Sequence, residues 1–209
     1  MSHFTPKQSP RASPLPIVTQ IPLFCATDIR VLDMGVGTGR NTLFLARLGF
    51  RVDAIDCSRQ SINEIHEYAK ASALPVCATV HDLRDTDPRF RRYGLVLCTF
   101  ALHYLTPERA HLLLANARSE AEAGTLHVIG AITVDGEFSR EFSPGERFYP
   151  DADELYRTYI AQGWIIHRAY VEKLFMLQTH PDGSPMVNSV SFLIAQKPVS
   201  RDRLARPSL

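Results

Sequence analysis

The sequence predicts an α/β fold built on a mostly parallel sheet of seven strands that ends in an antiparallel hairpin. Strand-like and helix-like stretches alternate along most of the chain, which is typical of βα units on a parallel sheet. The first strand runs into a glycine-rich turn and then a helix. Near the end, the β-rich stretches 164–178 and 187–197 flank an Asp-Gly pair, which indicates a hairpin.

Composition favours one soluble domain. The chain has 209 residues, and 23 Lys and Arg against 22 Asp and Glu leave a formal charge of +1, so it lacks the basic excess of a nucleic-acid or acidic-membrane binder. No apolar stretch approaches the roughly 20 residues that span a bilayer. Residues 1–16 also lack the apolar core of a signal peptide, so we expect a cytoplasmic protein.

Patterning and capping residues set the first two βα units. Residues 31–33 form a short apolar strand, and residues 41–48 carry leucines at helical spacing. Residues 51–56 alternate polar and apolar side chains as a second strand. Ser58 then caps a helix, because a serine hydroxyl can accept a hydrogen bond from a free N–H of the first turn.

Three more βα units follow. We expect strands at 76–83 and at 93–100, the second apolar on both faces as a central parallel strand should be. Thr106, Pro107 and Glu108 start a helix that runs to Gly124.

The predicted domain ends with a strand, a helix and the hairpin. Residues 125–133 read as the fifth strand, and a helix over 151–162 precedes Gly163 at its end. We expect residues 1–16 and 198–209 to be disordered tails, which leaves a single domain over residues 17–197.

The four cysteines do not indicate a metal or redox site. They are Cys25, Cys57, Cys77 and Cys98, and no two of them form a C-x-x-C pair. We therefore expect four reduced, mostly buried thiols and no bound metal.

The glycine-rich turn carries the chemistry. Asp33 is followed by Gly35, Gly37 and Gly39, and glycines let the backbone approach a ligand at the start of a helix, where free N–H groups favour anions. A dinucleotide fingerprint would need a third glycine at position 40, which is arginine. Asp56 ends the second strand, where a carboxylate can accept hydrogen bonds from ribose hydroxyls.

These residues resemble the class I methyltransferases that depend on S-adenosylmethionine (SAM), whose first motif is D-x-G-x-G-x-G. The stretch VLDMGVGTGRNTLFLARLGFRVDAID (31–56) resembles their tellurite-resistance methyltransferase branch. The resemblance covers about 170 residues through HDLRD (81–85), YGLVLCTFALHYL (93–105) and LLLANARSEAEAGT (112–125), and reaches FLIAQK (192–197). It implies a Rossmann-like class I methyltransferase fold, SAM as cofactor and a methyl acceptor as second substrate.

The resemblance also implies a role for each matching residue. The methionine end of SAM would lie against Asp33 and the three glycines, with Arg40 and Asn41 beside it. Asp56 would hold the ribose. Contacts to adenine would come from Asp82 and the Leu83 backbone. The residues that would border the sulfonium are Cys98, Thr99 and Phe100.

The sequence departs from the family pattern at several points. Gly94 opens the fourth strand where the family has an acid, and Glu122-Ala123-Gly124 replaces a Pro-Gly-Gly turn. The tellurite branch commonly carries a His-Arg pair where this chain has Leu177 and Gln178. That difference argues against tellurite as the substrate. His180 is either a hairpin residue or a displaced equivalent of that pair.

Methyl transfer from a sulfonium is an in-line displacement, so an enzyme can work by aligning the acceptor and excluding water. A general base, if one is needed, would be His103 or Tyr104 after the fourth strand. A lid could form from the loop residues Glu141, Glu146, Arg147 and Tyr149, although a merely solvated loop fits equally well.

With no inserted domain visible, we expect a small-molecule acceptor: a thiol or selenol, an oxyanion or a small metabolite. A non-catalytic SAM-binding sensor or scaffold subunit is the alternative from another class. A nicotinamide oxidoreductase is a third, disfavoured by Arg40 and by the closing hairpin. The sequence leaves the oligomeric state open.

Overall fold

The computed structural model describes residues 13–141 and 145–199. The predicted tails, 1–16 and 198–209, fall largely outside the described residues. At the N-terminal boundary the structure differs from the prediction, because Leu15 is only 5% exposed and Pro16 begins a short helix. Leu15 is apolar and packs with Ile17 and Val18 into the core, so the folded part starts before residue 17.

The structure confirms the predicted sheet. Its strands are β1 (Arg30–Met34), β2 (Arg51–Asp56), β3 (Val76–Val80), β4 (Leu95–Thr99), β5 (Leu126–Ile132), β6 (Ile165–Thr179) and β7 (Pro185–Gln196). The seven strands lie in the order β3-β2-β1-β4-β5-β7-β6. Strands β1 to β5 pair in parallel, whereas β7 pairs antiparallel with both β5 and β6.

Helices cover both faces of the sheet. The α-helices of the described residues are α1 (Pro16–Thr19), α2 (Arg40–Arg47), α3 (Arg59–Ala71), α4 (Pro107–Glu120) and α5 (Glu154–Ala161). Three short 3₁₀ helices span Ile21–Leu23, Leu102–Tyr104 and Phe138–Glu141. No sequence pattern indicated α1 or the 3₁₀ helices, because elements of three or four residues show no periodicity.

Capping residues act as predicted. Ser58 Oγ accepts a hydrogen bond of 3.2 Å from the Ser61 N–H, and Thr106 Oγ1 accepts one of 3.3 Å from the Arg109 N–H.

Strand β3 ends at Val80, three residues before the predicted end. The chain turns there because Asp82 Oδ1 accepts a 2.9 Å hydrogen bond from the Arg84 N–H, which replaces ladder bonding.

Two apolar layers hold the helices to the sheet. On one face α4 and α5 pack through residues such as Leu113 and Tyr159, and Trp164, which follows α5, joins them. On the other face α1 and α2 pack through residues such as Ile17 and Leu45. No helix in the described ranges is both long enough and apolar enough to cross a bilayer.

The thiol prediction is wrong in part. Cys98 is buried and Cys25 is half-buried, but Cys57 and Cys77 are exposed. Cys57 follows Asp56 in the turn that leaves β2, where the chain has already left the core. Cys77 lies on β3, the edge strand of the sheet, whose outward positions no helix covers.

The sheet order brings three connections together. Strands β1 and β4 are neighbours, yet the chain leaves β1 towards β2 and β3 before it returns to β4. The loops that follow β1, β2 and β4 therefore meet at the carboxyl edge of the sheet, at the point where the strand order reverses. Open α/β sheets bind their ligands at this point.

Candidate functional site

The loop after β1 has the backbone that its glycines predict. Gly35, Gly37 and Gly39 have φ angles of 69°, 51° and 77°, all in the left-handed region that favours glycine. A Cβ on Gly35 would lie 2.4 Å from the Cβ of Ala101, so packing also requires glycine there. Apart from its chain neighbours, no atom of the described residues lies within 4 Å of a Cβ built on Gly37, which faces open space.

Asp56 links the two loops that enclose this space. Its Oδ2 accepts a hydrogen bond of 2.9 Å from the Gly37 N–H, and its Oδ1 accepts one of 2.8 Å from the Ser58 N–H. The carboxylate predicted to hold a ribose therefore lies directly against the glycine loop. It keeps free lone pairs on both oxygens for further donors.

Asp33 is buried beneath the loop. Its side chain accepts a 2.6 Å hydrogen bond from the Thr42 hydroxyl, and the residue is 2% exposed. Burial raises the pKa of Asp33 to about 7; the Thr42 hydrogen bond and the charge of Arg40 act against the rise, and the charge of Asp56 adds to it. Asp33 therefore lies beneath the glycine loop, closed to water and hydrogen-bonded to α2.

Arg40 and Asn41 open α2 but have different surroundings. The Arg40 guanidinium carbon lies 5.7 Å from the centre of the Phe100 ring, and partial burial lowers the pKa of Arg40 while Asp33 opposes that shift. Asn41 is buried, and its amide is engaged at both ends by Leu15 and Thr99. The side chain of Asn41 is therefore committed within the protein.

Asp82 and Leu83 lie in the turn after β3. The Asp82 carboxylate forms a salt bridge with Arg84, with a shortest distance of 2.6 Å from Nη2 to Oδ2. Hydrogen bonds from the Arg84 side chain and backbone hold the pKa of Asp82 at about 2. The Leu83 carbonyl accepts a 2.6 Å hydrogen bond from Arg109 Nε. Both predicted adenine contacts therefore already have arginine partners, Arg84 and Arg109. An adenine bound here would have to share or displace one of these two arginines.

The end of β4 is buried and locally strained. Cys98 lies in the core, and burial raises its pKa to about 12, so the thiol is not a nucleophile at neutral pH. Phe100 has a φ of 56°, a conformation that bulky residues rarely adopt and that clusters at functional sites. Its N–H donates a 2.8 Å hydrogen bond to the Gly130 carbonyl, which holds this turn against β5.

His103 lies in an aromatic cluster beyond β4. We define the aromatic cluster as His103, Tyr104, Phe138 and Tyr149, in which the other rings lie 4.2, 6.4 and 6.3 Å from the imidazole. Desolvation and the charge of Arg147 lower the pKa of His103 to about 4, so the ring is neutral. Its Nδ1 is buried and has no hydrogen-bond partner among the described residues.

Tyr104 faces a cleft beside this cluster. The residue is 60% exposed, and its carbonyl accepts a 2.9 Å hydrogen bond from Arg147 Nη1. The cleft has a volume of about 480 Å³ and is lined by Arg84, Tyr104, Thr106, Arg109, Glu146 and Arg147. Two of the four predicted lid residues, Glu146 and Arg147, thus line the cleft with Tyr104, and a third, Tyr149, lies beside His103.

Sequence reasoning missed Arg84, Arg109 and Phe138 at this site. Arg84 could have been noticed as the basic residue in HDLRD, directly after Asp82 and Leu83. Arg109 and Phe138 are brought in by tertiary packing alone, and no local signal marks them. His180 belongs to the hairpin, where its N–H donates a 2.8 Å hydrogen bond to the Ser184 carbonyl.

Comparison with known families gives a match over most of the chain. The profile of the family described as "Tellurite resistance protein TehB" matches residues 23–183. A curated relative from Haemophilus influenzae, named "Probable S-adenosyl-L-methionine-dependent methyltransferase TehB", is 26% identical over 134 residues, which is 60% of this chain and 46% of that protein. The chain thus spans about half the length of this curated relative.

Solved structures share the fold. The crystal structure of TehB from Haemophilus influenzae superposes with a TM-score of 0.71 at 21% identity, covering 87% of this chain and 61% of that one. A Burkholderia thailandensis 1,6-didemethyltoxoflavin N1-methyltransferase, solved with its substrate and S-adenosylhomocysteine, gives a TM-score of 0.63 at 19% identity, covering 90% of this chain and 80% of that one. At these identities the likeness concerns the fold.

Proposed function

The chain belongs to the family of tellurite resistance protein TehB, and on that premise we propose that it transfers a methyl group from SAM to a small-molecule acceptor. The observation that carries the proposal is the glycine loop. Gly35, Gly37 and Gly39 hold left-handed backbone, Gly37 borders open space, and Asp56 lies within hydrogen-bond distance of the loop.

The residues around the loop fit SAM in charge as well as in shape. SAM carries an ammonium, a carboxylate and a ribose diol. Asp56 supplies a carboxylate for the diol, and the buried Asp33 adds negative charge beneath the ammonium when it is ionised. Arg40 together with the N-terminus of α2 favours the carboxylate of SAM. The named methyltransferase relative from Haemophilus influenzae and the S-adenosylhomocysteine-bound structure from Burkholderia thailandensis support the same cofactor.

When bound, SAM supplies an electrophilic methyl group on a sulfonium. The chain's own residues need only hold an acceptor in line and exclude water, so the chemistry requires no nucleophilic side chain. The aromatic cluster and Phe100 stand at the carboxyl ends of the strands, next to the position proposed for the sulfonium. Their rings supply a water-poor wall for the acceptor.

His103 bears on the chemical class of the acceptor. A general base works best when its pKa lies near the working pH, whereas the pKa of His103 is lowered to about 4. We therefore assign His103 and its neighbour Tyr104 to contact with the acceptor rather than to proton abstraction. This assignment favours a soft nucleophile that needs little activation, such as a thiol, a selenol or an oxyanion. Tellurite itself is disfavoured, because this chain has Leu177 and Gln178 where the tellurite branch commonly carries a His-Arg pair.

Thermal unfolding tests the cofactor directly. The full chain is heated alone and with SAM, S-adenosylhomocysteine or NAD. A ligand at about 100 times its Kd adds about 2.7 kcal/mol, which raises the Tm of a domain of this size by roughly 5 to 10 °C. We expect shifts with SAM and S-adenosylhomocysteine and none with NAD. The absence of a Tm shift with both SAM and S-adenosylhomocysteine would overturn the proposal. A shift with NAD alone would point to an oxidoreductase.

An acceptor screen tests the reaction. Purified chain, SAM and one candidate acceptor are incubated, and S-adenosylhomocysteine is measured by mass spectrometry. The panel contains alkyl and aryl thiols, a selenol, selenite, tellurite and phenols. We expect turnover with thiols or selenols ahead of phenols, because a phenol needs a base to reach its anion at neutral pH.

A further inference from the structure

A buried asparagine joins three parts of the chain at the site. Asn41 is 6% exposed. Its Oδ1 accepts a 3.1 Å hydrogen bond from the Leu15 N–H, and its Nδ2 donates a 3.0 Å hydrogen bond to Thr99 Oγ1. These partners lie 26 and 58 residues away along the chain. The amide therefore holds together three segments that are far apart in the sequence.

Two of the three parts belong to the proposed methyl-transfer site. Asn41 is the second residue of α2, directly after the glycine loop and Arg40. Thr99 is the last residue of β4, directly before the strained turn at Phe100. A shift of the Asn41 amide therefore moves the cofactor loop and the end of β4 relative to each other.

The third part is the N-terminal segment, which we define as residues 15–24. It is anchored in the core by Ile17, Val18 and Ile21, each completely buried. It also reaches the far edge of the sheet, where Arg168 Nε donates a 3.0 Å hydrogen bond to Gln20 Oε1 and Phe24 stacks on His167 at 4.6 Å. Within residues 13–141 and 145–199, the polar link from this segment to the site is the Leu15 N–H.

We propose that Asn41 is a positioning residue that couples the docked N-terminal segment to the cofactor loop and to the acceptor side of β4. The inference rests on the proposed function. An amide buried to this extent loses a large part of its stabilisation when one partner is removed, because the remaining polar group stays out of water. It then turns to find a new partner and carries the start of α2 with it.

The test removes a single backbone N–H. Leu15 has φ −60° and ψ 140°, which proline adopts and which also suits a residue before proline. Leu15→Pro removes the donor to Asn41, places the ring Cδ against Asn41 Oδ1 in its stead, and replaces the branched leucine side chain with the proline ring. Leu15→Ala removes most of the side chain and keeps the donor, so it is the matched control. Both variants are compared with the full chain by urea unfolding and by calorimetric titration with S-adenosylhomocysteine.

We expect both variants to lose stability, and Leu15→Pro to lose more, because it also loses the hydrogen bond and crowds the Asn41 amide. Their affinities should separate: Leu15→Pro should bind S-adenosylhomocysteine about 10-fold more weakly than the parent, and Leu15→Ala within about twofold of it. Equal affinities in the two variants overturn the coupling. No binding by the parent chain overturns the proposed function, and the coupling with it.

A second pair of variants tests the same proposal if Leu15→Pro does not fold. Thr99→Val removes the hydroxyl that Asn41 Nδ2 contacts without changing the shape, and Thr99→Ser keeps the hydroxyl. We expect Thr99→Val to weaken binding of S-adenosylhomocysteine several-fold more than Thr99→Ser does. The reverse order, or no difference, overturns the role of Asn41.

Discussion

The hydroxyl of Thr42 donates a 2.6 Å hydrogen bond to the carboxylate of Asp33, although neither group is open to water. Thr42 stands in the first turn of α2 and Asp33 near the end of β1, so this bond spans the glycine loop from below. Among the described residues, it is the one side-chain hydrogen bond that reaches this buried carboxyl. A single neutral donor does not offset the loss of water around an ionised carboxylate, and the carboxyl keeps its proton unusually well.

Asp33 should make the stability of the ligand-free protein fall with rising pH. Its folded pKa is raised from 3.8 to about 7, so between these values the folded chain holds a proton that the unfolded chain has released. The resulting stabilisation is present near pH 4 and is lost by about pH 7. Asp33→Asn cannot titrate. The free energy of unfolding of the parent minus that of Asp33→Asn should decrease by up to about 1.4 kcal/mol per pH unit over this range.

Urea denaturation of both proteins at pH 4.5, 5.5, 6.5 and 7.5 measures that difference. His103 and His127 have lowered pKa values and oppose the Asp33 effect, since they destabilise the folded chain as the pH falls below 6.5. Because both proteins contain these histidines, their contribution cancels in the difference. Parallel stability curves would show that Asp33 is ionised throughout.

Gly37→Asp should abolish cofactor binding and leave the fold intact. The new side chain enters the open space beside the loop and brings a second carboxylate next to Asp56. We expect at least about 100-fold weaker binding of S-adenosylhomocysteine by calorimetry. Gly163→Asp is the control. Gly163 also has a positive φ of 76° and, in the part of the chain that the structure describes, no atom beyond its chain neighbours within 4 Å of its Cβ position, yet it lies after α5. A similar affinity in Gly37→Asp and the control would remove the loop from the cofactor site.

Asp56→Ala should weaken S-adenosylhomocysteine binding by about 1.5 to 3 kcal/mol, or about 10- to 150-fold. The variant loses both the proposed ribose contact and the acceptor for the Gly37 N–H. Asp28→Ala removes the same charge from an exposed position just before β1 and should bind as the parent does. An unchanged affinity in Asp56→Ala would show that this carboxylate only closes the loop.

The acceptor, rather than His103, should set the pH dependence of turnover. With thiols of different acidity, the midpoint of the pH–rate profile should move with the pKa of the thiol, because the neutral imidazole does not titrate between pH 5.5 and 9. His103→Ala should slow turnover by less than about 100-fold, keep the shape of the profile and leave cofactor affinity unchanged. A midpoint common to all thiols that disappears in His103→Ala would identify His103 as the base.

Local signals predicted most of the fold. Strand β2 and the caps Ser58 and Thr106 follow from alternation and side-chain chemistry within a few residues. The N-terminal segment did not follow, because its helix has only four residues and its stability comes from contacts with α2 and distant strands. The early end of β3 was not predicted for a related reason: the predicted strand includes Leu83, but the Asp82 side chain turns the backbone first.

The glycine loop and Asp56 were predictable because one short stretch contains the loop and the next strand supplies the acid. The two hydrogen bonds of the Asn41 amide were not predictable, because tertiary structure decides which groups it meets. Nor does the sequence reveal how far the pKa of His103 is lowered. That shift depends on Phe138 and Tyr149, which the chain reaches only after β5, and on the charge of Arg147.

The position of β7 also dictates when this sheet can be completed during biosynthesis. It is the last strand of the described chain, yet it lies between β5 and β6. A nascent chain that has emerged only as far as residue 184 has β5 as an open edge and lacks Val190, Phe192 and Ile194, which are buried against the α1 and α2 face. The N-terminal segment therefore has no complete surface on which to dock until the hairpin arrives. The N-terminal segment and strand β7 must therefore pack against each other in the same step. Folding is expected to finish only after residue 196 has left the ribosome.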